Sequence, residues 1–244
     1  MSSVESKDLE KKLELSTNED WNPVERVILE RRSVRNFRDK QVPENLVRRI
    51  LEAGRFAPST GNYQPWRFLV IRDRDIIDAM EKDIRRMCKI VATMFDWERS
   101  PLGSVSKYMA KTAIWLMPNM MHPMPFAAIP YIAEGKVGIF HGAPTVILLL
   151  KDKRGAGKPD VDIGVVGENI VLAAHSHGLG TCWVGFVELI RQNPIWKKRL
   201  GIEYPFEIYE GISLGYPVGK PDGMVPRETH QVKWFENGTM KVLV

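Results

Sequence analysis

ERRSVRNFRDKQVPENLVRRILEAGRFAPSTGNYQPWRF, residues Glu30 to Phe68, joins two polar segments of different chemistry. The first, Arg31-Arg32-Ser33-Val34-Arg35, suits a phosphate, because guanidinium groups present planar forks of N–H donors and the serine hydroxyl adds another. The second, Pro58-Ser59-Thr60-Gly61-Asn62-Tyr63-Gln64-Pro65-Trp66, suits a flat polar ring. Its hydroxyl and amide side chains stand on a backbone that prolines and a glycine hold out of regular structure. A phosphate at one end and a heteroaromatic ring at the other describe a nucleotide-like cofactor. Cations at a helix C-terminus also have an account that needs no ligand, since they complement the helix dipole. That account covers Arg31 and Arg32 and leaves Ser33 and Arg35 unexplained.

The rest of the chain is compatible with one ordinary globular domain. It has 244 residues, 44% apolar and 27% charged, enough to bury a real core. The net charge of +5 is spread along the chain without a nucleic-acid motif, so the expected partners are anionic small molecules and not nucleic acid. The two cysteines, Cys88 and Cys182, are far apart and outside any metal or disulfide spacing, which fits a reducing cytoplasm. No signal-peptide core and no run of 18 apolar residues occurs, so no membrane association is expected and the chain reads as cytoplasmic.

In chain order, residues 1–20 read as a polar arm, and 21–244 as the domain. Asn22-Pro23-Val24-Glu25 starts a helix to about Glu30, with Val24, Val27 and Ile28 expected inside. A second helix from Pro43-Glu44 presents Leu46, Val47, Ile50, Leu51 and Gly54 on one side until Pro58 prevents its continuation. Trp66–Ile71 reads as a central strand. Asp73–Val91 has the period of an amphipathic helix, with Ile76, Ile77, Met80, Ile84, Met87, Cys88 and Val91 on its apolar face. Residues 92–137 mix aromatics, prolines and Met117, Met120, Met121 and Met124. Ala143–Leu150 is a buried strand and Asp160–His177 a long helix closed by Gly178. His175 and His177 point to different sides of that helix, and no metal site is assigned. A helical stretch at 188–192, another from Asn193-Pro194, and a strand Phe206–Leu214 follow. Asn237-Gly238 between apolar runs marks a hairpin with a type I′ turn.

Four blocks in order resemble the FMN-dependent nitroreductase family: RRSVRNF at 31–37, APSTGNYQPWRFLV at 57–70, NIVLAAHSHGLGTCWVG at 169–185, and GYPVGKP with Arg227 after it. The resemblance spans roughly Val24 to Arg227. It implies an α+β nitroreductase-like fold, a central, mostly antiparallel sheet flanked by helices in an intertwined homodimer. FMN would lie at the subunit interface. The cofactor-binding residues it implies are Arg31, Arg32, Ser33, Arg35, Pro58, Ser59, Thr60, Asn62, Gln64, Trp183, Val184, Gly185 and Arg227. Backbone amides near Val184 and Gly185 would reach the ring. The cationic run and the 58–64 loop would act on one flavin from opposite subunits, and the tail would cross to the partner. The insert at about 92–137 would form a lid over the flavin, although dimer packing accounts equally well for its methionines.

The implied activity is ping-pong hydride transfer from NAD(P)H through FMN to a nitroaromatic, a quinone or a similar small acceptor. No side chain is assigned a catalytic role, since the ring does the redox chemistry. Other chemistries occur on related sequences, including reductive dehalogenation of iodinated tyrosines and oxygen-dependent breakdown of reduced FMN. Glu98, Lys107 and Tyr108 match the dehalogenase residue types but not their order or spacing. A non-enzymatic flavin carrier or sensor is a further alternative.

Overall fold

A computed structural model of the chain describes residues 21–95, 123–155, 157–219 and 230–243. The chain forms two compact units, one of Ser33–Pro221 and one of the terminal segments Met1–Arg32 and Asp222–Val244.

The larger unit is built on β1 (Trp66–Ile71), β2 (Thr145–Asp152), β3 (Gly180–Val184) and β4 (Phe206–Gly215). They form an antiparallel sheet in the order β1-β2-β4-β3. The unbroken apolar run of β2 is explained by its surroundings. Val146, Leu148 and Leu150 enter one apolar layer and Ile147 and Leu149 the other. Successive strand residues point to opposite faces, so a strand covered on both sides has no polar position to spare.

The first layer is covered by α3 (Arg74–Phe95) through Ile77, Met80, Ile84 and Cys88, and by α4 (Pro123–Ala133) through Ile132. The second is covered by α2 (Glu44–Arg55) through Val47 and Ile50, and by α5 (Pro159–Ser176) through Ile163, Val166, Ile170, Val171 and Ala174. The two helices can approach closely because Gly54 meets Ile170: a Cβ on Gly54 would lie 2.7 Å from Ile170 Cγ1. α5 ends where Gly178 takes a φ of +71°, letting Leu179 N–H donate back to Ala174 O at 3.0 Å.

Three expectations change in the larger unit. β1 is an edge strand and not a central one. Among the described residues only β2 pairs with it, and its Arg67 is exposed, with the guanidinium 4.1 Å from the Phe206 ring centroid. An apolar sequence run does not distinguish a strand with two neighbours from one with a single neighbour and helices on its faces. Met87 on α3 is 36% exposed, at the margin of the apolar stripe. The helical stretch at 188–192 is a 3₁₀ segment, Gly185–Ile190, preceding α6 (Pro194–Arg199), whose Asn193 caps Ile195 N–H.

In the smaller unit, α1 (Pro23–Glu30) opens with a reciprocal cap. Asn22 Oδ1 accepts from Val24 N–H at 2.9 Å and Glu25 N–H at 3.0 Å, while Asn22 N–H donates to Glu25 Oε2 at 2.7 Å. Its apolar residues are not buried: Val24 is 67% and Ile28 51% exposed, and Val27 is half-buried. The helical pattern is present, but among the described residues Val24 and Ile28 stay exposed. β5 (Val232–Glu236) and β6 (Thr239–Leu243) form the expected hairpin, with φ of +50° at Asn237 and +72° at Gly238.

Candidate functional site

The cationic run begins where α1 ends. Arg31 terminates the helix in extended conformation, and the Arg32 guanidinium donates to Leu29 O at 2.9 Å and Arg31 O at 2.7 Å. Arg32 therefore serves the helix carbonyls, as the dipole argument anticipates. Beyond it, the chain is stitched to two other blocks of the larger unit. Ser33 forms a parallel bridge with Thr181, and Val34 N–H donates to Thr181 O at 2.8 Å. Phe37 bridges Pro217, Arg38 N–H donates to Tyr216 O at 2.8 Å, and Val218 N–H donates to Asn36 O at 3.1 Å. The Ser33–Arg38 segment thus lies between the start of β3 and the GYPVG turn, with the Ser33 and Arg35 side chains exposed.

Glycines make this junction possible. A Cβ on Gly180 would sit 2.7 Å from Val34 Cγ2, and one on Gly215 would sit 2.8 Å from Pro144 Cδ and 3.0 Å from Phe37. Farther along β3, Trp183 packs against α5: a Cβ on Gly167 would fall 2.0 Å from the Trp183 ring. Val184 is buried and Gly185 exposed, where the strand gives way to the 3₁₀ segment.

The Pro58–Gln64 loop is a separate construction. Gly61, Asn62 and Gln64 have φ of +57°, +56° and +51°. Left-handed backbone at a non-glycine residue costs on the order of 1–3 kcal/mol, and local hydrogen bonds offset it here. Gln64 N–H donates to Ser59 Oγ at 2.9 Å and Gln64 Nε2 to Asn62 Oδ1 at 3.0 Å. Thr60 is held by Gly157, whose Cβ position is 2.6 Å from Thr60 Cγ2. The loop thus presents an ordered set of exposed polar groups ahead of β1.

The sheet separates this loop from the Ser33–Arg35 part of the cationic run. β1 and β3 are its two edges, three strand spacings or about 14 Å apart. The loop enters at Trp66, opposite Lys151, whereas Thr181 pairs with Leu214, which pairs with Thr145. Those levels differ by six residues of β2, or about 20 Å along the strands. Within the larger unit, three blocks come together and the fourth stands apart.

The Nitroreductase family matches residues 28–220 of this sequence. The chain belongs to the nitroreductase family. It is accordingly an oxidoreductase. An Archaeoglobus fulgidus protein, provisionally named NADH dehydrogenase/NAD(P)H nitroreductase, is 27% identical over 215 residues, covering 86% of this chain and 97% of that protein. A Desulfitobacterium hafniense nitroreductase crystallised with bound FMN superposes with a TM-score of 0.61 at 24% identity, covering 85% of this chain and 95% of its own. A provisionally named nitroreductase of Desulfovibrio desulfuricans in complex with FMN gives 0.55 at 26% identity, covering 86% and 93%. This nitroreductase-family chain has the expected α+β fold with an antiparallel central sheet.

Among the implied site residues, Ser33, Arg35, Trp183, Val184 and Gly185 fall on adjoining segments of the larger unit. Pro58, Ser59, Thr60, Asn62 and Gln64 fall on the distant loop. Arg227 lies outside the described residues, as do Glu98, Lys107, Tyr108 and most of the 92–137 insert. Two groups were not singled out in the sequence. His141 has a φ of +57°, and burial, followed by the positive charge of Arg35, lowers its pKa. Glu210, on β4, is half-buried, and its Oε2 is inaccessible and without a hydrogen-bond partner. Burial, reinforced by the negative charge of Glu188, raises its carboxyl pKa to about 7. The available signal was an acid inside the otherwise largely apolar strand FEIYEGISLG.

Proposed function

We propose that this protein is a homodimeric, FMN-dependent NAD(P)H oxidoreductase that reduces nitroaromatics, quinones or similar small acceptors at a shared site. The observation that carries this reading is the junction of the Ser33–Arg38 segment with β3 and the GYPVG turn, with a preformed polar loop at the far edge of the sheet. The residues fit such a cofactor. Arg31, Arg32, Ser33, Arg35 and Arg227 are the phosphate donors in this reading. Trp183, Val184 and Gly185 line one side of the ring, and the small Gly185 permits close approach of backbone amides. Pro58, Ser59, Thr60, Asn62 and Gln64 meet the ring from the second copy, because the sheet keeps them from their own chain's Ser33–Arg35 segment.

When bound, FMN supplies the hydride-accepting and hydride-donating chemistry. The protein's contribution is position, charge and access. Arg35 favours negative charge near it, and donors already fixed in place need no reorganisation when that charge develops. The nicotinamide and the acceptor use the same exposed face in turn, which is a ping-pong order. The uncovered Val24 and Ile28 of α1, and Trp234 and Phe235 of the hairpin, are surfaces for the second copy, since an isolated two-stranded hairpin is marginal in water. No described helix is long and apolar enough to cross a membrane, and neither cysteine forms a disulfide, in keeping with a cytoplasmic enzyme.

The test is complementation. Arg31→Ala and Asn62→Ala chains are each expected to lose FMN as homodimers. Refolded together, they should regain one yellow site per mixed dimer, bleached by NADH or NADPH and recoloured by the acceptor. Wild-type protein that stays colourless at saturating FMN overturns the cofactor assignment. Failure of only the mixed dimers overturns the trans arrangement.

A further inference from the structure

We propose that Glu210 is a proton-accepting positioning residue of the site, set behind Gly185, which takes up one proton when the cofactor is reduced and releases it on reoxidation. This inference rests on the FMN reading above, which places Val184 and Gly185 against the ring. The geometry is particular. β3 and β4 pair as far as Val184 and Gly211, so the next residues, Gly185 and Glu210, face each other where the ladder ends. Both Glu210 carboxylate oxygens are 3.6 Å from the position a Cβ on Gly185 would occupy. A side chain at residue 185 would fill the space that the carboxyl approaches. Oε2 is sealed from solvent without a hydrogen-bond partner, and no described Lys or Arg pairs with this carboxylate.

The surroundings favour the neutral acid. On β2, the residue opposite Glu210 is Leu149. Glu188, on the 3₁₀ segment, adds a like charge, and Arg191 is committed to it, 3.0 Å away. Tyr209, the neighbour on β4, is itself raised by burial and then by Asp160, Glu210 and Glu188, with Arg191 opposing. Lys151 lies 4.6 Å from the Tyr209 ring centroid and pairs with Asp160 at 2.6 Å. The Gly211 backbone N–H supports the ionised form, and it is outweighed: the carboxyl titrates at about 7.

A hydride delivered by NAD(P)H carries two electrons and one hydrogen and adds one net negative charge to a neutral ring. That charge raises the proton affinity of a carboxylate beside it, so Glu210 takes one proton from solvent. When the acceptor removes the two electrons, the charge disappears and Glu210 returns the proton. Below about pH 7 the acid is already neutral, and no uptake accompanies reduction. Above pH 7, until the raised value is reached, each two-electron reduction binds one additional proton.

The experiment is equilibrium redox titration of the FMN-loaded dimer across pH, read from the flavin absorbance. Wild-type protein should show a midpoint potential whose pH slope steepens above pH 7 by about 30 mV per unit, one further proton per two electrons. E210Q should lack that segment. In E188Q, loss of the neighbouring charge should move its onset to lower pH. Reduced-minus-oxidised infrared spectra of wild-type protein at pH 8 should show a neutral carboxylic acid carbonyl band in the reduced state, absent from E210Q. Yellow wild-type protein without the steeper segment and without the band overturns the proposal. So do identical slopes in wild type and E210Q, or an onset unmoved in E188Q. Protein that takes up no FMN refutes the cofactor reading instead.

Discussion

Gly167→Ala is a small change with a large geometric consequence. The added methyl would lie 2.0 Å from one Trp183 ring atom, 2.5 Å from another and 3.0 Å from Leu149 Cδ1. Alanine is the better helix former by about 1 kcal/mol, and α5 has no backbone reason to prefer glycine there. Against that gain stands overpacking, about 1–3 kcal/mol when a buried neighbour must leave its rotamer. The net expectation is destabilisation by roughly 1 kcal/mol, a Tm fall of about 2–4 °C at this chain length. Trp183→Phe removes the ring atoms that collide, leaving only the flexible tip of Leu149. In that background Gly167→Ala should be neutral or stabilising, for a coupling of roughly 1–3 kcal/mol in the double-mutant cycle. The assay is urea unfolding followed by circular dichroism, with FMN held at one saturating concentration so that ligand linkage is constant. Displacing the Trp183 ring should also weaken FMN affinity in the Gly167→Ala chain. Equal effects of Gly167→Ala in both backgrounds would refute the packing of Trp183 on α5.

Glu210 has a folded-state pKa raised from 4.5 to about 7, so its stabilisation is complete below pH 4.5 and is lost as pH rises through 7. E210Q should flatten that part of the stability profile, by roughly 2 kcal/mol once partial solvent screening is allowed for, in unfolding curves at pH 4.5 and 8. Asn22→Ala removes the side-chain half of the α1 cap, worth about 1 kcal/mol. Amide exchange at Arg26 and Arg31 should accelerate while the unfolding midpoint of the sheet stays fixed. Gly238→Val forces a β-branched residue into a φ of +72°. The hairpin should open, and sedimentation equilibrium should show weaker self-association of the proposed dimer.

Much of the fold was legible because local patterns had one tertiary solution. The β2 run, the α5 stripe with its Gly178 stop and the Asn237-Gly238 turn each name their own geometry. The edge position of β1 was hidden because apolar content reports burial of faces and says nothing of how many strands pair alongside. The exposure of Val24 and Ile28 was hidden for a related reason: periodicity predicts a stripe, while covering it takes another surface. The cationic run and the Gly180–Gly185 segment were readable as parts, but their direct contact depends on register, which the Ser33–Thr181 bridge supplies. Glu210 escaped notice because an acid in a strand is ordinarily assigned to the solvent side, and only the end of the β3–β4 ladder turns it toward Gly185.

Helices on both faces of the sheet leave few places where chemistry can reside. The broad surfaces are spoken for by packing, and the polar groups of the candidate site sit at strand ends and along the outer margins. Mutational drift in those peripheral turns can therefore redirect what the enzyme accepts without touching the layers that keep it folded. A lineage built this way can diversify its substrates while its architecture stays put.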